Sequence, residues 1–528
     1  MRINTTLNLF AMLCLPVWML SQTPGQPDLG FGQMGEVAIP VPGVFGYSGG
    51  TLLLPDGKMV VAWQSTPDVE TTLGLTRLLP DGSLDDSFGN QGTVITDLDI
   101  GEEGTFYEMA LTVDHKIIGV GSILTDTDYK AFVVRFNDNG ELDASFGDNG
   151  LVLIDQGDLD DEFSAVHILP NGKILAGGLT FDSSNPGFYD LLLVQLEPDG
   201  KLDASFGNNG IVISDYLVGL EGIISIDVQS DGKIIAVGGN SDFATGDYNM
   251  ELVRYNPDGS LDQSFATNGF LEYGTATEIE VAYDVAVVAG DKIVFCGFNL
   301  TFGSSTGQMT LFRLNSDGSF DDSFGTGGKV FKEVGNVEIG RQLAVQNDGK
   351  ILVSGEAVSN LMTGEGFLWV CRFNADGTSD ETFGDAAGIA QTPNYPDGTE
   401  GIGLFLQPDG KIVATGFGSE KSVVWRFLND NPSGSIETGM PNLNFTVSPN
   451  PSYGFLQVAW QLDNMATVSC ELVDGQGRVI ESLVNKADFP AGAHRLEFQL
   501  KEQMASNLVF LRLNIAGNIT TRPIVLLK

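Results

Sequence analysis

Seven copies of one phrase constrain this chain more than anything else in it. The phrase runs Arg-Phe-Asn-x-Asp-Gly-x-Leu-Asp-x-Ser-Phe-Gly-x-x-Gly-x-Val, and after a gap continues Pro-Asp-Gly-Lys-Ile-x-Val-x-Gly. Its second Phe recurs at Phe31, Phe88, Phe146, Phe206, Phe265, Phe324 and Phe383, in steps of 57, 58, 60, 59, 59 and 59 residues. The Lys of the second half recurs at Lys58, Lys116, Lys173, Lys233, Lys292, Lys350 and Lys411. A fixed period of this size means stacked supersecondary units rather than a single-copy enzyme core.

Within one period, between Phe146 and Phe206, four short apolar runs are visible. They are Leu151–Ile154, Phe163–Leu169, Lys173–Gly177 and Asp190–Leu196. Runs of this length bounded by Gly, Pro, Asn and Asp are strands. The joins Pro170-Asn-Gly172 and Pro198-Asp-Gly200 are turns with a mechanism, since Pro presets φ, Asp or Asn bonds its own backbone and Gly supplies positive φ. No stretch before Pro441 has helical periodicity. Four antiparallel strands per unit in seven units predict an all-β fold, a seven-bladed β-propeller, over an open solenoid with no natural stopping number. The ends support closure. The chain opens on a loose linker phrase, Asp28 to Gly35, and the repeats finish on Val423–Phe427 with no linker phrase after it. The two pieces are complementary halves of one unit.

An Asp stands three residues before each recurrent Phe: Asp28, Asp85, Asp143, Asp203, Asp262, Asp321 and Asp380. The expected roles are structural, with Phe buried between neighbouring units and Asp holding the turn through backbone N–H groups. The Arg at Arg77, Arg135, Arg254, Arg313, Arg372 and Arg426 is expected to pair with a local acid, and Gln195 breaks that pattern.

These phrases resemble the delta-60 repeat, a bacterial family with the same Leu-Asp-x-Ser-Phe-Gly and Asp-Gly-Lys-Ile signatures, over about Asp28 to Phe427. The match weakens at Asp114-His115-Lys116, Gly290-Asp291-Lys292 and Phe265-Ala266. The resemblance implies a propeller-like β architecture and no established reaction.

The organisation around the repeats is also legible. Residues 1–22 read as a secretory signal peptide, with Arg2 ahead of an apolar run from Leu7 to Leu20 that is short for a membrane span. Cys14 follows Met12 and Leu13, which is no lipobox. The repeat body covers 23–428, a Pro/Gly/Ser linker 429–442, and a different β domain 443–528 with about seven strands, expected to be a small β-sandwich. Net charge is −42. Seven basic and seven acidic residues cancel after Pro441, so the excess lies in the repeats. Such a surface repels nucleic acid and anionic lipid and favours solubility and cationic partners. Cys296, Cys371 and Cys470 are an odd set without paired spacing and read as core residues.

The tail is similar to the C-terminal sorting domain of the type IX secretion system of Bacteroidota. The matching residues are Val447-Ser-Pro-Asn-Pro451, Asp474-x-x-Gly477-x-Val479, Gly492-x-His494 and the terminal Ile524-Val-Leu-Leu-Lys528; the usual Gly-Ile/Leu-Tyr phrase stands as Asn507-Leu-Val-Phe510. The resemblance implies export across the outer membrane, with the secretion machinery as partner. The expected location is extracellular or on the cell surface.

Chemistry is scarce. The three His (His115, His167, His494) build no metal site or triad, and no Gly-x-Ser-x-Gly, His-Glu-x-x-His or P-loop pattern occurs. No catalytic, cofactor-binding or metal residue is assigned. Ca²⁺ is the one cofactor left open: Asn256-Pro-Asp258-Gly-x-Leu-Asp262 and Asn137-Asp-Asn139-Gly-x-Leu-Asp143 place oxygens around a Gly turn but lack a full ligand set, and plain Asx-turns account for them better. The expected function is a binding or adhesion module for a glycan or protein. The alternative is a secreted hydrolase or lyase acting on polysaccharide or peptide at the axial mouth, for which paired carboxylates remain open. Non-repeated polar or aromatic residues converging on the axis would favour the hydrolase or lyase; the same residue from every unit would favour binding or structure. Phe181–Tyr189, Phe243–Tyr248 and Leu361–Trp369 are candidate loops, because unit length varies there.

Overall fold

The computed structural model describes residues 23–430 and 445–525, apart from residues 40–45, 66–71, 97–102, 126–127, 157–159, 182–188, 215–219, 243–246, 276, 302–303, 305, 361–364, 386, 397, 419–420, 449–454, 463–465, 474–478, 491, 500–507 and 516–517. All described regular structure is β-strand. The four apolar runs read between Phe146 and Phe206 are the strands Leu151–Ile154, Asp161–Ile168, Ile174–Phe181 and Tyr189–Leu196.

Their pairing settles the phase. The run after each Phe-Gly-x-x-Gly turns back onto the strand before it: Leu151–Ile154 pairs with Tyr129–Phe136. The linker phrase therefore joins the third and fourth strands of one antiparallel sheet. The strands that open the successive sheets are Gly46–Leu53, Glu103–Leu111, Asp161–Ile168, Leu220–Val228, Glu278–Val288, Val337–Val345 and Thr399–Leu406. Each of these inner strands contacts the next, and the last contacts the first. We number the repeat units one to seven by these strands. Units three, four and five are also joined by single parallel bridges, Tyr189 to Leu220 and Tyr248 to Ile279.

Unit seven borrows from the chain start. Its fourth strand is Glu36–Ala38, which pairs with Lys421–Phe427. Its linker turn is rebuilt from both ends of the body: Gly25 N–H donates to Leu428 O at 2.7 Å, and Gly384 N–H to Pro24 O at 2.8 Å. The apolar cluster holding Phe31, Met59, Trp63, Val413 and Val424 then joins unit seven to unit one. The split phrase in the sequence is this joint.

One apolar cluster fills each seam between adjacent sheets, and all seven recurrent Phe are fully buried there. The Gly of each Asp-Gly linker turn is dictated by that packing. Gly140, at φ +86°, would place a Cβ 2.6 Å from the Phe88 ring, so both its conformation and its lack of a side chain are used.

The tail forms two sheets. One runs Phe445–Ser448, Phe455–Leu462, Gly492–Gln499; the other runs Val479–Phe489, Ala466–Val473, Leu508–Ile515, Asn518–Val525. They share a core of Leu456, Val458, Trp460, Val468, Cys470, Leu472, Leu511 and Leu513.

Candidate functional site

The charged residues of the repeat divide into a set that recurs and a set that does not. The recurrent set forms a latch at each linker turn. The Asp Oδ2 accepts from the Arg Nε of its own unit at 2.7–3.0 Å in the six units that carry Arg. It also faces the recurrent Lys, at 2.5 Å for Lys116–Asp143 and 2.7 Å for Lys173–Asp203. Oδ1 accepts the N–H and O–H of the residue two places on, as Ser145 does for Asp143 at 3.1 and 2.7 Å. The guanidinium lies over the recurrent Phe, 4.5 Å from the ring centroid for Arg135 on Phe146. Its Nη1 reaches the next unit's turn: Arg77 donates to Asp138 O, Arg135 to Pro198 O, Arg254 to Ser316 O and Arg426 to Pro80 O. Arg372, last in line, is held by Asn429 and Asp430 instead. At Gln195 the amide still donates to Asp203, but the guanidinium bridge to the next unit is missing. The sequence pointed to Asp and Arg here; it gave no role to the Lys, which lies 27 residues from its Asp in unit two.

Burial alone would raise these carboxyls, yet the Ser N–H and O–H, the Arg and the Lys outweigh it. Asp85 is held at about 2. Asp143, Asp203, Asp262, Asp321 and Asp380 lie lower still, and Asp28 is lowered too. A carboxyl depressed on folding contributes stability above its unfolded pKa and loses it as pH falls through the folded one.

The non-repeated set lies on the inner strands. Each inner strand has a β-bulge at the same place, between Phe106 and Glu108, Phe163 and Ala165, Ile223 and Ser225, Ala282 and Asp284, Gly340 and Gln342, and Gly401 and Gly403. In unit one the irregularity between Ser48 and Thr51 takes in two residues, Gly49 and Gly50. Opposite the single-residue bulges stands the Gly that closes the Lys-Ile-x-Val-x-Gly phrase. A Cβ on Gly121, Gly178, Gly238, Gly297 or Gly355 would fall 1.8–1.9 Å from an inner-strand carbonyl oxygen, so the recurring Gly is the sequence signal of the bulge. Unit one has Trp63 at that position, accommodated by Gly74 beneath its ring.

A bulge re-aims a side chain. The bulged residues of units two to seven are Tyr107, Ser164, Ile224, Tyr283, Arg341 and Ile402, all at least partly exposed while their neighbours are mostly buried. Several reach forward to the next unit. Tyr107 Oη donates to Glu162 Oε2 at 3.0 Å, and Ser164 Oγ to Ile223 O at 3.0 Å. Arg341 lies 4.4 Å over the Tyr283 ring, which itself stacks on Phe298. Arg341 Nη2 is 2.8 Å from Glu356 Oε1 and 3.4 Å from Glu400 Oε1. Glu356 also accepts the Gly401 N–H at 3.0 Å. The bulge recurs from unit to unit while the residue in it varies among Tyr, Ser, Ile and Arg.

Beside the bulges, carboxylates stitch inner strands together. Glu108 accepts the Val166 N–H at 2.6 Å, Asp227 the Val287 N–H at 2.6 Å and Asp284 the Leu343 N–H at 2.8 Å. His167 Nδ1 is 3.7 Å from Asp227. Burial, with Asp284 adding repulsion, pushes Glu108 to about 8; burial, with Asp227 adding to it, pushes Asp284 to about 6. A carboxyl raised on folding has the opposite sign to the latches: its penalty is relieved as pH falls from the folded toward the unfolded pKa. Thermal melts across pH are therefore expected to give a maximum at about pH 5, a lower melting temperature at about pH 8.5, and a steep loss between about pH 4 and 2 as the latches protonate. A melting temperature still rising below pH 4 would contradict this assignment.

The loops Phe181–Tyr189, Phe243–Tyr248 and Leu361–Trp369 lie in their middle parts outside the described residues. At their edges Phe181 and Tyr189 meet edge to face at 5.2 Å, and Trp369 is buried. In the turns considered for Ca²⁺, Asp258 Oδ1 takes the Ser260 N–H and O–H, Asn139 Oδ1 takes the Glu141 N–H, and Asp143 and Asp262 belong to latches. Among the described residues no three His, Cys, Asp or Glu side chains converge as a metal site. His115 occupies a turn at φ +63°, and His494 stacks on Trp460 in the tail. Cys296, Cys371 and Cys470 are buried, and burial raises their thiols, Cys371 and Cys470 to about 12. No described helix is long and apolar enough to cross a membrane.

Six segments match the family described as a domain of unknown function (DUF5122) beta-propeller: residues 54–88, 114–146, 169–206, 229–265, 292–324 and 346–383. Each runs from the neighbourhood of the Asp-Gly-Lys turn to the recurrent Phe. Unit seven, divided between the two ends of the body, offers no such continuous segment. No curated protein matches the chain. Similar solved structures include a catalytically inactive virginiamycin B lyase from Staphylococcus aureus with quinupristin (11% identity, 74% of this chain and 99% of that one, TM-score 0.43). Polysaccharide lyase Uly1 is another (9%, 75% and 99%, 0.41). A third is PorZ, a surface component of the type-IX secretion system of Porphyromonas gingivalis (12%, 89% and 68%, 0.27). At such identities and scores they describe neither the activity nor the partners of this chain. The repeat body is a β-propeller, and six of its units match the repeat of that beta-propeller family of unknown function.

Proposed function

We propose that this protein is a seven-bladed propeller of the delta-60 type, secreted or displayed on the cell surface, that binds an extracellular glycan or protein at its axis. The observation that carries the reading is the ring of inner-strand bulges with different residues at equivalent places. The recurrent charges are engaged in latches, which leaves the bulged residues as the side chains free to specialise. Binding is favoured over catalysis because Arg341 is engaged by both Glu356 and Glu400, and burial raises the hydroxyl of Tyr283 rather than making it a ready base.

The tail is proposed as a type IX sorting domain in sandwich form. Two sheets around one core support a separate folded module, and its balanced charge sets it apart from the acidic body. Parts of the motifs that suggested it, 449–451, 474–478, 507 and 526–528, lie outside the described residues.

A hydrolase or lyase remains the second reading, favoured by the same non-repeated cluster of Tyr283, Arg341 and Glu400. The full chain, incubated with a panel of neutral and charged polysaccharides and surface-protein extracts, separates the two. Capture that weakens at least tenfold in Glu400→Ala, without release of reducing ends or shorter chains, supports binding. Turnover supports the enzyme, and neither capture nor turnover removes the axial site. In a Bacteroidota host with the secretion system, removing residues 443–528 is expected to leave the protein inside the outer membrane; unchanged export would overturn the sorting assignment.

A further inference from the structure

The repeat supplies its own comparison, because the bulge ring contains two tyrosines at equivalent places. Tyr107 and Tyr283 are the bulged residues of units two and five. Over Tyr283 the next unit's bulged residue, Arg341, lays its guanidinium, and Glu356 and Glu400 hold that cation in place. Over Tyr107 the corresponding residue is Ser164, whose hydroxyl turns away to Ile223 O. Tyr107 is 39% exposed, and among the described residues no cation lies on its ring. A carboxylate is nevertheless in place: Glu162 accepts from Tyr107 Oη at 3.0 Å and from Ser122 Oγ at 3.4 Å. Glu162 stands two residues before its bulge, as Glu400 does before Ile402. Tyr107 thus keeps the aromatic face, has a carboxylate beside it from unit three at a different place from Glu356 and Glu400, and lacks the cation.

We propose that the open face of Tyr107, beside Glu162, receives a guanidinium or ammonium group supplied by a ligand. This rests on the reading of the bulge ring as a binding site and names the chemistry of the ligand. A ring face and a carboxylate together select a cation over a neutral group. The field agrees, since the excess of acidic residues lies in the repeat body. An anionic polymer is disfavoured by the same charges. The cation could belong to a free amine or to a basic side chain of a protein, and both present the same group.

The test titrates N-acetyl-L-arginine amide into the full chain by calorimetry, with N-acetylglycine amide as the neutral control. An Arg-Gly-Arg peptide serves as the second arm for the protein source. Binding of the arginine probe is expected to weaken at least tenfold in Glu162→Gln and to vanish in Ser164→Arg, which would fill the cradle from within as Arg341 does in unit five. An unchanged melting temperature shows that Ser164→Arg is folded. Absence of binding, or equal binding to wild type and Ser164→Arg, overturns the proposal. If the arginine probe fails while capture of another ligand still depends on Glu400, the axial site stands and its cationic chemistry falls. If both fail, the axial reading falls with it.

Discussion

A chain that begins at Pro40 is expected to lose the cooperative unfolding of the propeller. The missing segment removes Phe31, fully buried against units seven and one, together with the fourth strand of unit seven and the carboxylate of Asp28. Losing one buried Phe costs about 3–5 kcal/mol. Stranding Arg426 and Lys411, which share Asp28, costs about 3–5 kcal/mol more. The sum rivals the whole stability of a typical domain, about 5–15 kcal/mol. Hydrogen exchange is expected to show unit seven open first, because its inner neighbours keep their seams and it does not. Exchange protection that is unchanged in Thr399–Phe427 would mean that the N-terminal segment does not close the ring.

The second large effect is expected at a latch far from either end. Asp143→Ala leaves Arg135 and Lys116 without their shared carboxylate, and Arg135 is only 8% exposed. The expected loss is about 3–5 kcal/mol, read as a lower denaturant midpoint. Phe146→Ala should cost a similar amount by a different route, a cavity under the Arg135 guanidinium. Because Arg135 touches both residues, the double variant should cost less than the sum of the two. Strict additivity would show that the pieces of the latch act independently.

How much of this was readable beforehand follows from what repeats. Phe31 to Phe383 and their Asp partners announce themselves by period, and the split phrase at Asp28 and Phe427 announces the joint. Strand phase was hidden because Leu151–Ile154 follows one linker turn and precedes the next inner strand, and apolar content does not say which neighbour it joins. The Lys of the latch was hidden by pairing across the sheet, which sequence spacing does not reveal. The bulge ring was hidden for the opposite reason: Tyr107, Ser164, Ile224, Tyr283, Arg341 and Ile402 share a position but no common residue type that a period could reveal. The one available signal was the Gly at the end of Lys-Ile-x-Val-x-Gly, whose need for a close carbonyl only the paired strands explain. The Glu356–Gly401 and Asp284–Leu343 contacts cross between units at the bulges and inherit the same invisibility.

The claim at the centre of this account is that repeated residues build the propeller and bulged residues recognise its ligand. The most direct measurement compares melting temperature and ligand capture for two pairs of single variants: Asp143→Ala and Phe146→Ala in a latch, and Tyr107→Ala and Glu400→Ala at partly exposed positions on the inner strands. The account predicts that the latch variants melt lower and, below their melting temperature, capture ligand like wild type. It predicts that the axial variants melt like wild type and lose at least tenfold in capture. Axial variants that bind normally, or latch variants that lose binding while fully folded, would contradict it.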